Sequence, residues 1–121
     1  MTKPFALIIE DHEDHTIIFN NAFSMVGFET EVVMDGAAAR KRLNETVPTV
    51  VVLDLHLPKV SGQALLQQIR SDKRLANTRV IVITADEALA EGKIDGADLI
   101  LIKPVGFSYL RSIAERFLSS T

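Results

Sequence analysis

"VVVLDLHLPKVSG", residues Val50 to Gly62, opens with four aliphatic side chains in a row and then places a carboxylate, Asp54, directly behind them. A run that is apolar at every position, not at alternate ones, reads as a strand covered on both faces, the mark of a parallel sheet with helices above and below. The acid needs its own reason. An unpaired buried carboxylate is costly enough that it finds a partner or changes protonation state, so Asp54 is either a paired structural acid or a working one.

Outward from this stretch the pattern repeats. Short apolar runs, "FALII", "EVV", "TVVVL", "RVIVI" and "LILI", alternate with segments of helical period at Glu13 to Val26, Gly36 to Asn44, Gly62 to Arg70, Ala85 to Glu91 and Phe107 to Leu118. Strict βα alternation predicts an α/β fold, a five-stranded parallel sheet with helices on both faces. Helix ends carry their own signals: Gly27 after a stripe of Ile18, Ala22, Met25 and Val26, Asp35 before the second helix, and Ser61 before the third. In the last helix Leu110, Ile113, Ala114, Phe117 and Leu118 recur at i, i+3, i+4, i+7 and i+8.

With 121 residues, 47% of them apolar and 24% charged, the chain is expected to form one domain, residues 1–121, with its own core. The absence of cysteine excludes disulfides, thiolate metal sites and a cysteine nucleophile. No apolar run is long enough for a membrane span or signal peptide, so a cytoplasmic location and no membrane partner are expected. Net charge is −3 with the signs interspersed. The only basic run, Arg40–Arg42, reads as a solvated helix face, so no nucleic-acid partner is expected.

In an open parallel sheet ligands bind beyond the carboxyl ends of the strands. There the sequence places Glu10 and Asp11 after the first strand, Asp54 at the third, Thr84 at the fourth, and Lys103 with Pro104 after the fifth. Close carboxylates repel by about 4 kcal/mol per pair at 4 Å and an effective dielectric of 20, so a cation must sit among them. Oxygen-only ligands suit Mg²⁺, and Lys103 adds a compact second charge. Between the two, a phosphoryl group could be attacked in line by the Asp54 carboxylate, with the Thr84 hydroxyl donating to a phosphoryl oxygen.

These residues, in this order and covering nearly the whole chain from "LIIEDHEDH" to "ERFL", resemble the receiver domain of two-component response regulators, chemotaxis-regulator-like. The resemblance implies a flavodoxin-like, doubly wound (βα)5 fold with strand order 2-1-3-4-5. It implies Asp54 as the phosphorylated residue, with Thr84 and Lys103 completing the catalytic set. Mg²⁺ would be held by Asp11, Asp54, Glu10 through water, and the backbone carbonyl of His56. The phosphate donor would be a histidine kinase or a histidine phosphotransfer protein, the output a protein–protein contact, and the only catalysis the domain's own phosphorylation and dephosphorylation.

By the same resemblance the peptide before Pro104 would be cis, Thr84 and Ile100 would form the switch pair, and His56 and Asp86 would border the attacking water and tune the acyl phosphate's lifetime. Two positions depart from the family pattern. Ile100 stands where the family usually has Tyr or Phe, and Thr84 and Lys103 are 19 positions apart, a few residues fewer than usual, which predicts a short or frayed fourth helix.

Other readings compete. A degenerate receiver would act as a phosphorylation-independent docking module. An Asp-nucleophile phosphatase of the haloacid-dehalogenase type would need a second Asp two residues after the nucleophile, where this chain has His56. A nucleotide site lacks any GxxxxGK[ST] or GxGxxG. His12 and His15, three apart, read as exposed first-turn histidines in preference to a transition-metal pair.

Overall fold

β-Branched and aliphatic residues dominate every strand, and the helices between them are too short to stand alone, so each is held by its buried face. A computed structural model describes residues 3–92 and 94–119. The order is β1 (Phe5–Ile9), α1 (Glu13–Val26), β2 (Glu29–Val33), α2 (Gly36–Glu45), β3 (Val50–Asp54), α3 (Gly62–Ser71), a 3-10 turn (Lys73–Leu75), β4 (Arg79–Thr84), α4 (Glu87–Glu91), β5 (Leu99–Ile102) and α5 (Phe107–Ser119). All strand pairings are parallel, in the order β2-β1-β3-β4-β5.

β3 lies at the centre and every one of its residues is buried. Its side chains alternate between two cores, as the period of two requires. Val50 and Val52 join Ala6, Ile8, Ile81 and Ile83 under α1 and α5, whereas Val51 and Leu53 join Leu7, Ile9, Val80 and Val82 under α2 and α3. Asp54 continues the Val50–Val52 row.

Three helix ends are closed as their sequences indicate. Gly27 takes φ +117 and its amide returns to the last turn of α1, Asp35 accepts from the Ala38 amide, and Ser61 accepts from the Ala64 amide. Other details differ from the sequence reading. The buried stripe of α1 is Phe19, Ala22 and Phe23 with Val26 half-buried, while Met25 is 66% exposed. The consecutive apolar residues Ile17, Ile18 and Phe19 admit two phases of the helical repeat, and packing against α5 selects the one that buries the phenylalanines. α4 begins at Glu87 instead of Ala85, because Asp86 serves as its cap through bonds to the Ala88 and Ala90 amides. With five residues it is short, as the compressed spacing indicated.

Candidate functional site

The carboxyl ends of β1, β3 and β4 meet at one edge, and each carries an oxygen-bearing side chain there, Glu10 just after β1 and Asp54 and Thr84 as the last residues of β3 and β4. Glu10 follows β1, and its backbone amide bonds to the Val33 carbonyl of the neighbouring strand at 3.1 Å, which fixes the side chain's direction. Its carboxylate is fully buried, and Oε2 accepts from the His12 amide at 3.0 Å. Asp54 is 4% exposed, and its Oδ1 accepts from the His56 amide at 2.9 Å. Both acids thus fold back onto an amide two residues ahead, a local bond favoured where a strand turns into a loop.

Asp11 is exposed, and one carboxylate oxygen from each of Glu10, Asp11 and Asp54 lies within 4.8 Å of the others. Oxygen-only donors gathered this closely fit a hard divalent cation. Lys103 reaches the same place from the end of β5. Its Nζ is 2.9 Å from Glu10 Oε1 and 3.0 Å from Asp54 Oδ2. The Lys103–Pro104 peptide is cis.

Burial pushes the Glu10 carboxyl up to about 7, against the lowering effect of Lys103 and the His12 amide and with help from the Asp54 charge. For Lys103 burial acts to lower the pKa, but hydrogen bonds to Glu10 and Asp54 and their charges outweigh it, and the ammonium stays charged.

Thr84 closes β4, fully buried, and its Oγ1 accepts from the Asp86 amide at 3.1 Å. Asp86 is half-buried and caps α4, and the His56 side chain is exposed beyond Asp54. Ile100 is half-buried, pairs with Val82 and packs on the α2/α3 core.

His15 departs from the expected exposed first-turn histidine. Its ring is half-buried, its Nδ1 faces Glu10 Oε1 at 3.6 Å, and it stacks between His12, at 4.3 Å, and Phe19, at 5.9 Å. Burial, then the charge of Lys103, lowers its pKa, so it closes the inner wall of the site as a neutral ring. Spacing alone carried a hint of this, since His12, His15 and Phe19 fall at i, i+3 and i+7 on one helical face.

Two glycines allow the loop after Asp54 to lie where it does. A Cβ on Gly62 would stand 2.4 Å from the Leu55 Cα and 2.5 Å from the Asp54 carbonyl oxygen, and one on Gly36 would stand 2.3 Å from the Val60 carbonyl oxygen. No other residue fits at either position without moving the backbone that carries Asp54.

The chain matches the response regulator receiver domain family over residues 6–115. It is 36% identical over 120 residues to the probable methanogenesis regulatory protein FilR2 of Methanothrix harundinacea (strain 6Ac), covering 90% of this chain and 77% of that protein. It spans less than half the length of several other regulators that it matches. Among solved structures, the CheY-like response regulator receiver domain from Methylobacillus flagellatus is 27% identical with a TM-score of 0.83, over 96% of this chain and 99% of that one. The receiver domain of the sensor histidine kinase PA1611 from Pseudomonas aeruginosa PAO1, solved with a magnesium ion coordinated in its active site cleft, shares the fold at 20% identity. Its TM-score is 0.84, over 98% of this chain and 99% of that one.

Proposed function

Since the chain belongs to the response regulator receiver domain family of two-component signalling, we propose that residues 1–121 act as one phosphoacceptor unit with Asp54 as the acceptor. The donor is the phosphohistidine of a histidine kinase or histidine phosphotransfer protein. A carboxylate oxygen of Asp54 attacks phosphorus, a P–O bond forms as the P–N bond breaks, and the departing imidazole leaves with the N–P electron pair and is then protonated.

The observation that carries this reading is the Lys103 ammonium held between Glu10 and Asp54, beside an acidic trio whose oxygens lie within 4.8 Å. Lys103 pairs with the Asp54 carboxylate at 3.0 Å, and it stands ready to pair with a transferred phosphoryl oxygen. Asp11 and Asp54 directly, Glu10 through water and the His56 carbonyl would hold Mg²⁺, whose chemistry here is to neutralise phosphoryl charge. Thr84 donates its hydroxyl to the phosphoryl group by turning away from the Asp86 amide. His56 and Asp86 border the path of the water that later hydrolyses the acyl phosphate. Turnover is confined to the domain's own phosphoryl group, and the output is a change in protein contact.

The test is intact-mass analysis after exposure to acetyl phosphate. Addition of one phosphoryl group that requires Mg²⁺ and is lost in Asp54→Asn is the expected result. No adduct, or an adduct that persists in Asp54→Asn, overturns the assignment.

One observation favours a second reading, a docking module indifferent to phosphate. Ile100, set against the α2/α3 core, lacks the aromatic lever usual at its position. That reading requires partner affinity to be unchanged by beryllofluoride and Mg²⁺.

A further inference from the structure

Glu10 is fully buried, and its two oxygens are not served alike. Oε2 accepts from the His12 amide at 3.0 Å. Oε1 depends on Lys103, whose Nζ stands 2.9 Å away but is shared with Asp54 Oδ2 at 3.0 Å. A single ammonium therefore holds two buried carboxylates.

Another nitrogen faces the same oxygen. His15 Nδ1 is buried, has no hydrogen-bond partner among the described residues, and lies 3.6 Å from Glu10 Oε1. That distance is too long for a hydrogen bond, and a closing shift of about 0.7 Å brings it to the usual length of about 2.9 Å. The ring stacks on His12 at 4.3 Å and on Phe19 at 5.9 Å, and Phe19 is itself part of the core under α1 and α5. The stack holds the plane of the imidazole, so Nδ1 stays turned toward Glu10. A buried nitrogen without a partner is costly and calls for a state in which it has one.

Transfer of a phosphoryl group to Asp54 creates that state. The new oxygens draw Lys103 Nζ toward them, and Glu10 Oε1 loses its cation. We propose that His15 is a positioning residue for phosphoryl transfer, its Nδ1–H bonding Glu10 Oε1 as Lys103 turns to the phosphoryl oxygens. The role rests on Asp54 being the phosphate acceptor. A neutral imidazole carries one N–H, and a carboxylate oxygen facing Nδ1 selects the tautomer that places it there. With the His12 amide on Oε2 and His15 on Oε1, Glu10 keeps its direction while Lys103 is engaged elsewhere. No proton changes hands, and no bond to phosphorus involves the ring.

Two measurements test the role. Acetyl phosphate labelling in saturating Mg²⁺ compares wild type with His15→Phe, which keeps a ring against Phe19 but has no N–H, and with His15→Asn, whose amide nitrogen stands as many bonds from the backbone as Nδ1. The rate is expected to be roughly tenfold lower in His15→Phe and largely restored in His15→Asn. Wild-type protein with 15N-labelled imidazoles supplies the second readout, which a packing role does not move. Adding beryllofluoride and Mg²⁺ is expected to shift the His15 Nδ1–H proton downfield, as a new hydrogen bond to a carboxylate requires.

Equal labelling rates in all three proteins, or a rate in His15→Asn no better than in His15→Phe, overturn the role of His15. So do His15 ring signals that stay in place while the Thr84 to Asp86 amides shift. No labelling of the wild type overturns the assignment of Asp54 itself, and the role of His15 falls with it.

Discussion

The ammonium of Lys103 stands 3.0 Å from Oδ2 of Asp54, a contact made across 49 positions of chain, and the same nitrogen lies 2.9 Å from Oε1 of Glu10. One cation thus serves two buried acids. Removing one partner of a buried ion pair leaves the other charge uncompensated, so Lys103→Met is expected to lose about 3 kcal/mol of stability in chelator. Urea unfolding measures it, and Mg²⁺ should restore part of the loss by replacing the missing charge. An unchanged midpoint would mean that the pair contributes nothing.

Glu10, with its carboxyl pushed up to about 7 from an ordinary 4.5, makes stability depend on pH. Between those values the native state binds the proton that the unfolded chain has released, so stability in chelator falls as pH rises through this window. His15, whose pKa is lowered, contributes the opposite slope below about 6.5, and because it faces Glu10 at 3.6 Å the comparison of Glu10 with Gln is made in a His15→Phe background, which removes that contribution. The expected outcome is that Glu10→Gln gains stability relative to Glu10 in that background as pH climbs from 5 to 7. A constant difference across that range would contradict the raised pKa.

Asp11 is exposed, and no hydrogen bond or ion pair ties its side chain to the described residues. Asp11→Ala is therefore expected to leave unfolding within about 0.5 kcal/mol of wild type. Mg²⁺ affinity, read by calorimetry, should fall at least about tenfold, the loss typical even of an outer-sphere partner of a metal. Retained affinity would place the ion elsewhere.

How much of this was legible in the sequence depends on how local each cause is. Strand positions and the caps at Gly27, Asp35 and Ser61 follow from side chains acting on their own backbone, and they stand where the pattern puts them. The meeting of Glu10, Asp11, Asp54 and Lys103 was readable too, because a parallel sheet sends all its carboxyl ends to one edge. The phase of α1 was not, since Ile17, Ile18 and Phe19 satisfy two registers and only the α5 surface decides between them. The burial of His15 against Glu10 arises from a contact between segments, and the sequence carried only the hint of the i, i+3, i+7 spacing of His12, His15 and Phe19.

Gly62 and Gly36 permit backbone to lie where a methyl group would stand, at 2.4 Å from the Leu55 Cα and 2.3 Å from the Val60 oxygen. The obstructing atoms are main chain and cannot rotate away, so Gly62→Ala is expected to cost about 2 to 3 kcal/mol. It should also slow acetyl phosphate-dependent labelling of Asp54, because the loop from Leu55 to Ser61 must shift. Gly36→Ala pushes on the same loop from α2 and should reproduce both effects. Labelling at the wild-type rate in both variants would show that the loop does not position the acceptor.

Ile100 determines how far a phosphoryl signal travels. It pairs with Val82 in the sheet and its side chain packs on the α2/α3 core, so no ring waits outside to swing inward when Thr84 turns toward phosphate. Thr84 and the loop beyond Asp54 can still move, since their bonds to the Asp86 and His56 amides are single contacts at the sheet edge. Beryllofluoride with Mg²⁺ should therefore shift the amide signals of Leu55 to Ser61 and Thr84 to Asp86 strongly, and those of Leu99 to Leu101 little. Ile100→Tyr, which restores an aromatic at that position, should extend the shifts into β5. Large shifts at Ile100 in the wild type would mean that the branched side chain moves despite its packing, and the signal would then reach the β5 edge without an aromatic.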